Sequence, residues 1–385
     1  MAPLDHEPDR VVYLDNAATT PLRTEALEAM LPFLTDRFGN PSGGHRVARA
    51  ARQALDEARD DVAEVLGCGP GEVVFTAGGT EADNLAVLGV IAARGGTAVC
   101  PAAEHHAVLH AVQAVGGRVV GTGPDGAVDL EQLAAALDDL GGSVAVVSAM
   151  TANNEVGTFT PLSEVAALVA DRAPGATLHT DAVQAAGWCD LRKLAAPAAL
   201  VSVAAHKLGG PKGVGCLVVR SGTPLRPLLH GGGQERERRS GTQDVAGVVG
   251  FATALRLAAQ ERVEAGARAR SLRARLLGRL VEAVGGVVPS APLERALPGH
   301  LHVRIEGCEG EAMLVLLDDA GVCASAGSAC ASGAVEPSHV LLAMGVPKAE
   351  ALTSLRLSIG RTTTEADVDA AAAAVAAAAA RLRAG

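Results

Sequence analysis

Aromatic side chains are nearly absent from this sequence: one Trp, one Tyr and five Phe among 385 residues. Any core must then be filled by Ala, Val and Leu, and a chain of this length has room for one large domain and a smaller one. Long basic runs are missing too. The net charge is −10, and the densest basic stretch, "QERERRSGT", alternates Glu with Arg. The chain therefore offers no electrostatic footprint for direct nucleic-acid binding. No apolar run is long enough to span a bilayer; the longest, "AAAAAVAAAAA", is short and Ala-rich and predicts a final helix. The opening "MAPLDHEPDR" has no apolar stretch, so no signal peptide is expected, and the expected location is cytoplasmic, away from membranes. The seven cysteines are odd in number and form no Cys-x-x-Cys pair, which signals neither a disulfide framework nor a zinc site; no metal is expected. Most of these thiols are expected to be inert core residues.

What is present is an alternation of short β-branched runs with amphipathic stretches. "EVVFTAG" leads into "TEADNLAVLGVIAARGG", "TAVCPA" into "HHAVLHAVQAVGG", and "SVAVVSAM" is followed by "LSEVAALVADRAPG"; then come "TLHTDAVQ", "ALVSVAAH" and "GVGCLVVR". This pattern implies an α/β fold with a mostly parallel sheet covered by helices. Ligands in such sheets gather at the loops beyond the strand C-terminal ends. From about residue 252 the pattern changes. A long Arg/Ala/Leu helix, "FATALRLAAQERVEAGARARSLRARLLGRLVEAVGG", gives way to strands such as "HLHVRIEG" and further helices, which predicts a second, smaller domain. No internal repeat is visible.

The chemistry lies at those strand ends. Lysine occurs only at 193, 207, 212 and 348. Lys207, in "AAHKLGGPKGVG", follows an apolar strand and precedes a Gly-rich turn, a place for a Schiff base with a cofactor aldehyde or simply for a surface lysine. In "VVFTAGGTEADN", Gly78 and Gly79 allow close backbone approach, Thr80 adds a hydroxyl, and the helix start supplies free N–H groups for a phosphate; an ordinary helix start reads the same way. Asp181 ends the strand in "LHTDAVQ" and suits a pyridine nitrogen or a helix cap, and Gln184 lies one turn on, within range of a ring phenolic oxygen. His105, in "AEHHAVL", can stack on a ring and move protons, or be structural. Asn154, in "TANNEVG", can bond a cofactor oxygen or a substrate carboxylate. Arg356, inside the apolar strand of "SLRLSIGR", needs an anion, either a substrate α-carboxylate or a structural Asp or Glu.

With these pieces in place, nearly the whole chain resembles the cysteine desulfurases, pyridoxal-phosphate (PLP) enzymes of the class V aminotransferase fold that take sulfur from L-cysteine. The resemblance runs through "VVYLDNAATTP", "FGNPSGGHR", "FTAGGTEADNLA", "AEHHAVL", "NNEVGT", "HTDAVQ", "AHKLGGPKGVG", "HGGGQERERRSGTQ", "SAGSACASG" and "SLRLSIGRTTTEAD". It implies a fold type I enzyme of the long-loop NifS/IscS-like group. The large PLP-binding domain, with a mostly parallel seven-stranded type of sheet, is expected over residues 15–255. The smaller α+β domain is expected over 1–14 and 256–385. It further implies Lys207 as the Schiff-base lysine, Asp181 as pyridinium partner and His105 as stacking acid/base. Gly79, Thr80 and His206 fall at the phosphate. Thr242, in "RSGT", would reach the phosphate of the other subunit of a homodimer. Arg356 and Asn154 would hold the cysteine carboxylate. Cys330 would attack the substrate sulfur, releasing L-alanine and keeping a persulfide for protein acceptors, of scaffold or thiolase type.

Two positions depart from the family pattern. Ala204 stands where a Ser or Thr usually bonds the phosphate, and Gln234 stands where many relatives have His. The chain also ends soon after "RLRAG", without the longer tail by which some relatives dock a scaffold. Selenocysteine lyase and class V aminotransferase are the neighbouring activities, and a non-catalytic sulfur-relay scaffold is the alternative of another class. The scaffold predicts loss of Lys207, Asp181 or Cys330, and all three are present. Iron–sulfur assembly, tRNA thiolation and DNA phosphorothioation all remain open as destinations for the sulfur. The small residues around Cys330 predict a mobile arm that collects sulfur in the pocket and delivers it elsewhere. Cys323, after an apolar stretch, is expected to be core.

Overall fold

The computed structural model describes residues 11–326 and 336–384. Its strands are β1 (Val12–Tyr13), β2 (Val73–Thr76), β3 (Thr97–Pro101), β4 (Arg118–Val120), β5 (Val144–Ser148), β6 (Thr177–Asp181), β7 (Leu200–Ala204), β8 (Gly215–Val219), β9 (Val287–Pro289), β10 (His300–Ile305), β11 (Val322–Cys323) and β12 (Ser354–Ser358). Seven of them form one sheet in the order β2-β8-β7-β6-β5-β3-β4. The run from β7 to β4 is parallel, and β8 is antiparallel to both β2 and β7. β5, β6 and β7 are buried along their whole length, as sheets covered on both faces require; β5 and β7 accordingly read as near-continuous Val-rich runs rather than alternating ones, while β6, "TLHTD", buries polar side chains.

The helices are α1 (Thr24–Leu34), α2 (Arg46–Leu66), α3 (Gly79–Arg94), α4 (His106–Ala114), α5 (Leu130–Leu140), α6 (Leu162–Arg172), α7 (Leu191–Leu194), α8 (Val245–Val284), α9 (Gly310–Asp319), α10 (His339–Ala343), α11 (Lys348–Ala351) and α12 (Glu365–Ala384). Apolar clusters fill both faces of the large sheet, one around Phe75, Val147, Val203 and Phe251, the other around Leu85, Val146 and Leu217. A separate core gathers Leu276, Leu280, Leu301, Leu355 and the Ala face of α12 over the antiparallel sheet β12-β10-β9. Val12 and Leu14 belong to that second core, because β1 pairs in parallel with β11. No helix among the described residues is long and apolar enough to cross a membrane.

Helix α8 joins the two cores. At 40 residues it is about 60 Å long, and the domain boundary expected at 255/256 falls inside it. It begins at Val245, earlier than the sequence pattern indicated, because "VAGVVG" reads as a weak helix former. Tertiary packing overrides that cost. Asp244 caps the start by accepting from the Gly247 N–H at 2.9 Å. At Gly250 a Cβ would come within 2.6 Å of Met30 Sδ, so glycine there allows α1 and α8 to approach closely.

Candidate active site

The parallel strands all release their chain at the same edge, and the side chains that follow meet in a cleft of about 650 Å3. β2 hands over to α3 at Gly79 and Thr80, β3 to His105, β5 to Asn154, β6 to Asp181 and Gln184, and β7 to His206 and Lys207. All eight line this cleft.

Lys207 sits in a single 3-10 turn after β7. Its Nζ donates to the carbonyls of Ala17 and Ala18 at 2.5 and 2.8 Å. Burial, helped by the positive charge of Arg356 and opposed by Asp181 and Asp15, pulls its pKa down to about 8. A substantial part of the amine is therefore neutral near physiological pH. Asp181 is buried, and its Oδ1 accepts from the Val183 N–H at 2.8 Å. Burial pushes this carboxyl up to about 6, against the pull of that N–H and of Lys207. His105 is pushed down to about 4, first by burial and then by Lys207 and its neighbouring imidazoles. Its Nδ1 accepts from the Ala107 N–H at 3.1 Å, so the neutral ring carries its hydrogen on Nε2.

Under Asp181 lies a polar layer that sequence reasoning did not single out. His179, fully buried on β6, bonds Ser148 Oγ at 2.8 Å and Ser202 Oγ at 3.0 Å on the flanking strands. Burial pushes it down to about 3, so it is neutral. Asp83 approaches His179 Nε2 at 3.7 Å while one of its oxygens has no partner. Burial first, and the charge of Asp181 second, drive the Asp83 carboxyl up. Glu104, also buried, accepts from the Met150 N–H at 2.5 Å through one oxygen and leaves the other without a partner. In the sequence Asp83 reads as a plain first-turn residue of a helix; only burial distinguishes it.

Arg356, on β12, reaches Asp15 Oδ1 at 2.8 Å and the Asn154 carbonyl at 3.1 Å. Of the two anions weighed for it, the structure supplies the structural one, Asp15, and leaves Nε without a partner. Asp15 was not singled out in the sequence, since 341 positions separate it from Arg356. Gln184 Nε2 donates to the Ala17 carbonyl at 2.9 Å. His206 Nδ1 lies 3.2 Å from Thr19 Oγ1. Thr242 is exposed and lies outside the cleft of its own chain. Cys330 lies outside the described residues. Cys323 is half-buried rather than core.

The residues present fit a phosphorylated pyridine aldehyde. Helix α3 starts at Gly79 with no side-chain cap, and Gly78 has φ 136°, which leaves bare N–H groups at the cleft for an anion. At Gly79 a Cβ would lie 2.8 Å from Val183 Cγ2, so this glycine is required for helix–strand packing. Asn154 Oδ1 is buried in the cleft wall with no partner, the state expected of a group that receives a ligand's donor. Oxygen or nitrogen atoms of Asp83, His105 and Asp181 all lie within 4.8 Å of one another, a convergence suited to a ring nitrogen. Ala204 lines the cleft without a hydroxyl, and Ser202, two residues earlier, is engaged with His179. Thr80 and His206 are then the side chains at hand for the phosphate.

The family model for class-V aminotransferases matches residues 12–371. An IscS-like cysteine desulfurase of Mycobacterium tuberculosis is 46% identical over 373 residues, covering 93% of both chains. Among solved structures, a NifS-like protein superposes with a TM-score of 0.87 at 36% identity over 96% of this chain and 99% of its own. SspA, solved in complex with cysteine, superposes with a TM-score of 0.77 at 29% identity over 90% of this chain and 98% of its own. The chain belongs to the class-V aminotransferases and, within them, to the PLP-dependent cysteine desulfurases of the NifS/IscS type.

Proposed function

We propose that this chain binds PLP through Lys207 and takes sulfur from L-cysteine, leaving L-alanine and a persulfide on Cys330 that passes to a protein acceptor. The observation that carries this reading is the meeting, in one cleft, of a lysine amine brought down to about 8 with a buried carboxylate and a neutral imidazole. Bound there, the cofactor supplies an electron sink for charge developing on the substrate carbons.

The other roles belong to the chain's own residues. Lys207, partly neutral, can hold the cofactor aldehyde and, once released, move a proton between substrate carbons. Asp181 would hold the ring nitrogen of the bound cofactor and favour its protonated form; a positive charge there would in turn draw the Asp181 carboxyl back toward ionisation. His105 has Nε2–H to exchange with substrate. Arg356 and the amide of Asn154 hold the substrate carboxylate, Arg356 through the donor that Asp15 leaves free. Cys330 is the thiol to attack sulfur. The other cysteines support that choice. Burial pushes Cys68 and Cys189 up to about 11 and raises Cys100, Cys216, Cys308 and Cys323 as well, so none of the six is a ready thiolate.

The chain is proposed to work as a homodimer in which Thr242 of each subunit serves the other's phosphate. Leu27, Leu31 and Leu34 project from one side of α1 at i, i+4 and i+7 and are exposed, as is Phe38. A second copy would cover that apolar surface. The destination of the sulfur is a protein of iron–sulfur assembly, tRNA thiolation or DNA phosphorothioation, to be distinguished by trapping the persulfide on candidate acceptors.

The test uses two variants. Wild-type protein incubated with PLP should show the visible absorbance band of a lysine-bound cofactor, and Lys207→Ala should lose it. Cys330→Ala should keep the band and release no sulfide from L-cysteine. Undiminished sulfide release by Cys330→Ala would move the nucleophile elsewhere, first to Cys323.

A further inference from the structure

Outside the cofactor cleft, three imidazoles from two elements meet. His106 and His110 stand at i and i+4 on α4, and their ring centroids are 4.8 Å apart. His339, the first residue of α10, brings its ring within 4.3 Å of His106. The rings of His106 and His110 are exposed, that of His339 is half-buried, and the first two open onto a surface recess of about 710 Å3 whose wall also includes Asn84, Leu88 and the two residues it shares with the cofactor cleft, Thr80 and His105. Nothing in the desulfurase reaction uses this cluster.

Its chemistry is that of a metal ligand set. His339 Nε2 lies 3.0 Å from the Glu104 carbonyl. A carbonyl only accepts, so Nε2 carries the hydrogen and Nδ1 is left with its lone pair bare. That is the arrangement in which metal-bound histidines are found: one nitrogen oriented by a backbone carbonyl, the other turned to the ion. Paired histidines at i and i+4 on one helix face are a chelating spacing. Three imidazoles with open positions for water suit zinc, copper and nickel. As placed, His106 lies stacked between its neighbours. Sharing one ion requires the two exposed rings to turn about their side-chain bonds, a picosecond-to-nanosecond motion for exposed side chains.

We propose that His106, His110 and His339 form a binding site for one divalent transition-metal ion of the zinc class, in the recess that adjoins the cofactor cleft. The test is a Zn2+ titration of untagged, PLP-loaded protein, in competition with a chromophoric chelator, with Co2+ as the spectroscopic probe of nitrogen ligation. PLP loading matters, because the convergent trio Asp83, His105 and Asp181 lies in the cofactor cleft and would be covered. The expected result is one equivalent per chain, weakened at least about tenfold in His110→Asn and lost in the double variant His106→Gln with His110→Asn. Both positions are exposed, so the variants should fold, which circular dichroism checks. His110→Asn should leave L-cysteine turnover in metal-free buffer unchanged. Equal affinity in the wild type and the double variant would overturn the site. So would binding that appears only in PLP-free protein, which would place the ion in the cofactor cleft instead.

Discussion

At the scale of single residues, burial sets the chemistry of this protein more than neighbouring charge does. Lys207, Asp181, His105, His179 and Asp83 are each shifted chiefly because the charged form is removed from water. Every one of them moves toward neutrality, and that has a measurable consequence. Only the neutral amine attacks an aldehyde, and the Lys207 amine is brought down to about 8. The rate of PLP uptake by apoprotein should therefore fall about tenfold per pH unit below that value and level off above it. Stopped-flow absorbance over a pH series checks this. A rate still climbing steeply to pH 10 would mean that the amine is not shifted.

At the scale of elements, the segment between β8 and α8 carries the strongest backbone signature. Glu235, Arg236 and Glu237 are consecutive non-glycine residues at φ 48°, 57° and 64°, each in the left-handed region that costs an L-residue about 1–2 kcal/mol. A buried bidentate pair holds them there: Arg59 donates to both oxygens of Glu235 at 2.8 Å, and Glu235 also accepts from the Phe75 N–H at 2.9 Å. Glu235→Ala leaves Arg59 buried without its partner, and a loss of about 3–5 kcal/mol is expected. Denaturant unfolding at matched protein and PLP concentrations measures it; a change under 1 kcal/mol would show that the turn is held by other contacts. This turn leads into Thr242. In the sequence "QERERRSGT" looks like a solvated or ion-paired loop, and that description holds for Arg236 and Glu237, which are exposed. It misses Glu235, because nothing local says that one carboxylate of an alternating run will be buried against an arginine 176 residues earlier.

At the scale of the whole molecule, the proposed homodimer makes the strongest demand. If the exposed apolar side of α1 is the covered surface, a Leu31→Glu, Phe38→Glu variant should elute as a monomer by light-scattering chromatography, while the wild type has twice the chain mass. The same variant should hold PLP less tightly at low protein concentration, because in the proposed dimer Thr242 would reach the phosphate only from the other subunit. A variant that remains dimeric would place the interface elsewhere. The parallel sheet is covered on both faces within one chain, whereas α1 leaves leucines in water.

Much was legible in the amino-acid sequence by itself. The strand–helix alternation and the chain positions of Lys207, Asp181, His105 and Asn154 at strand ends follow from local periodicity and residue type, because parallel strands place all their C-terminal loops at one edge, and the resemblance of the motifs to those of the cysteine desulfurases added their roles. Tertiary structure alone decided the rest. The pairing of Arg356 with Asp15, the burial of Asp83 and Glu104, the early start of α8 at Val245 and the meeting of His339 with His106 all join positions far apart in the chain. Their energies come from desolvation and packing, which exist only once the chain has folded.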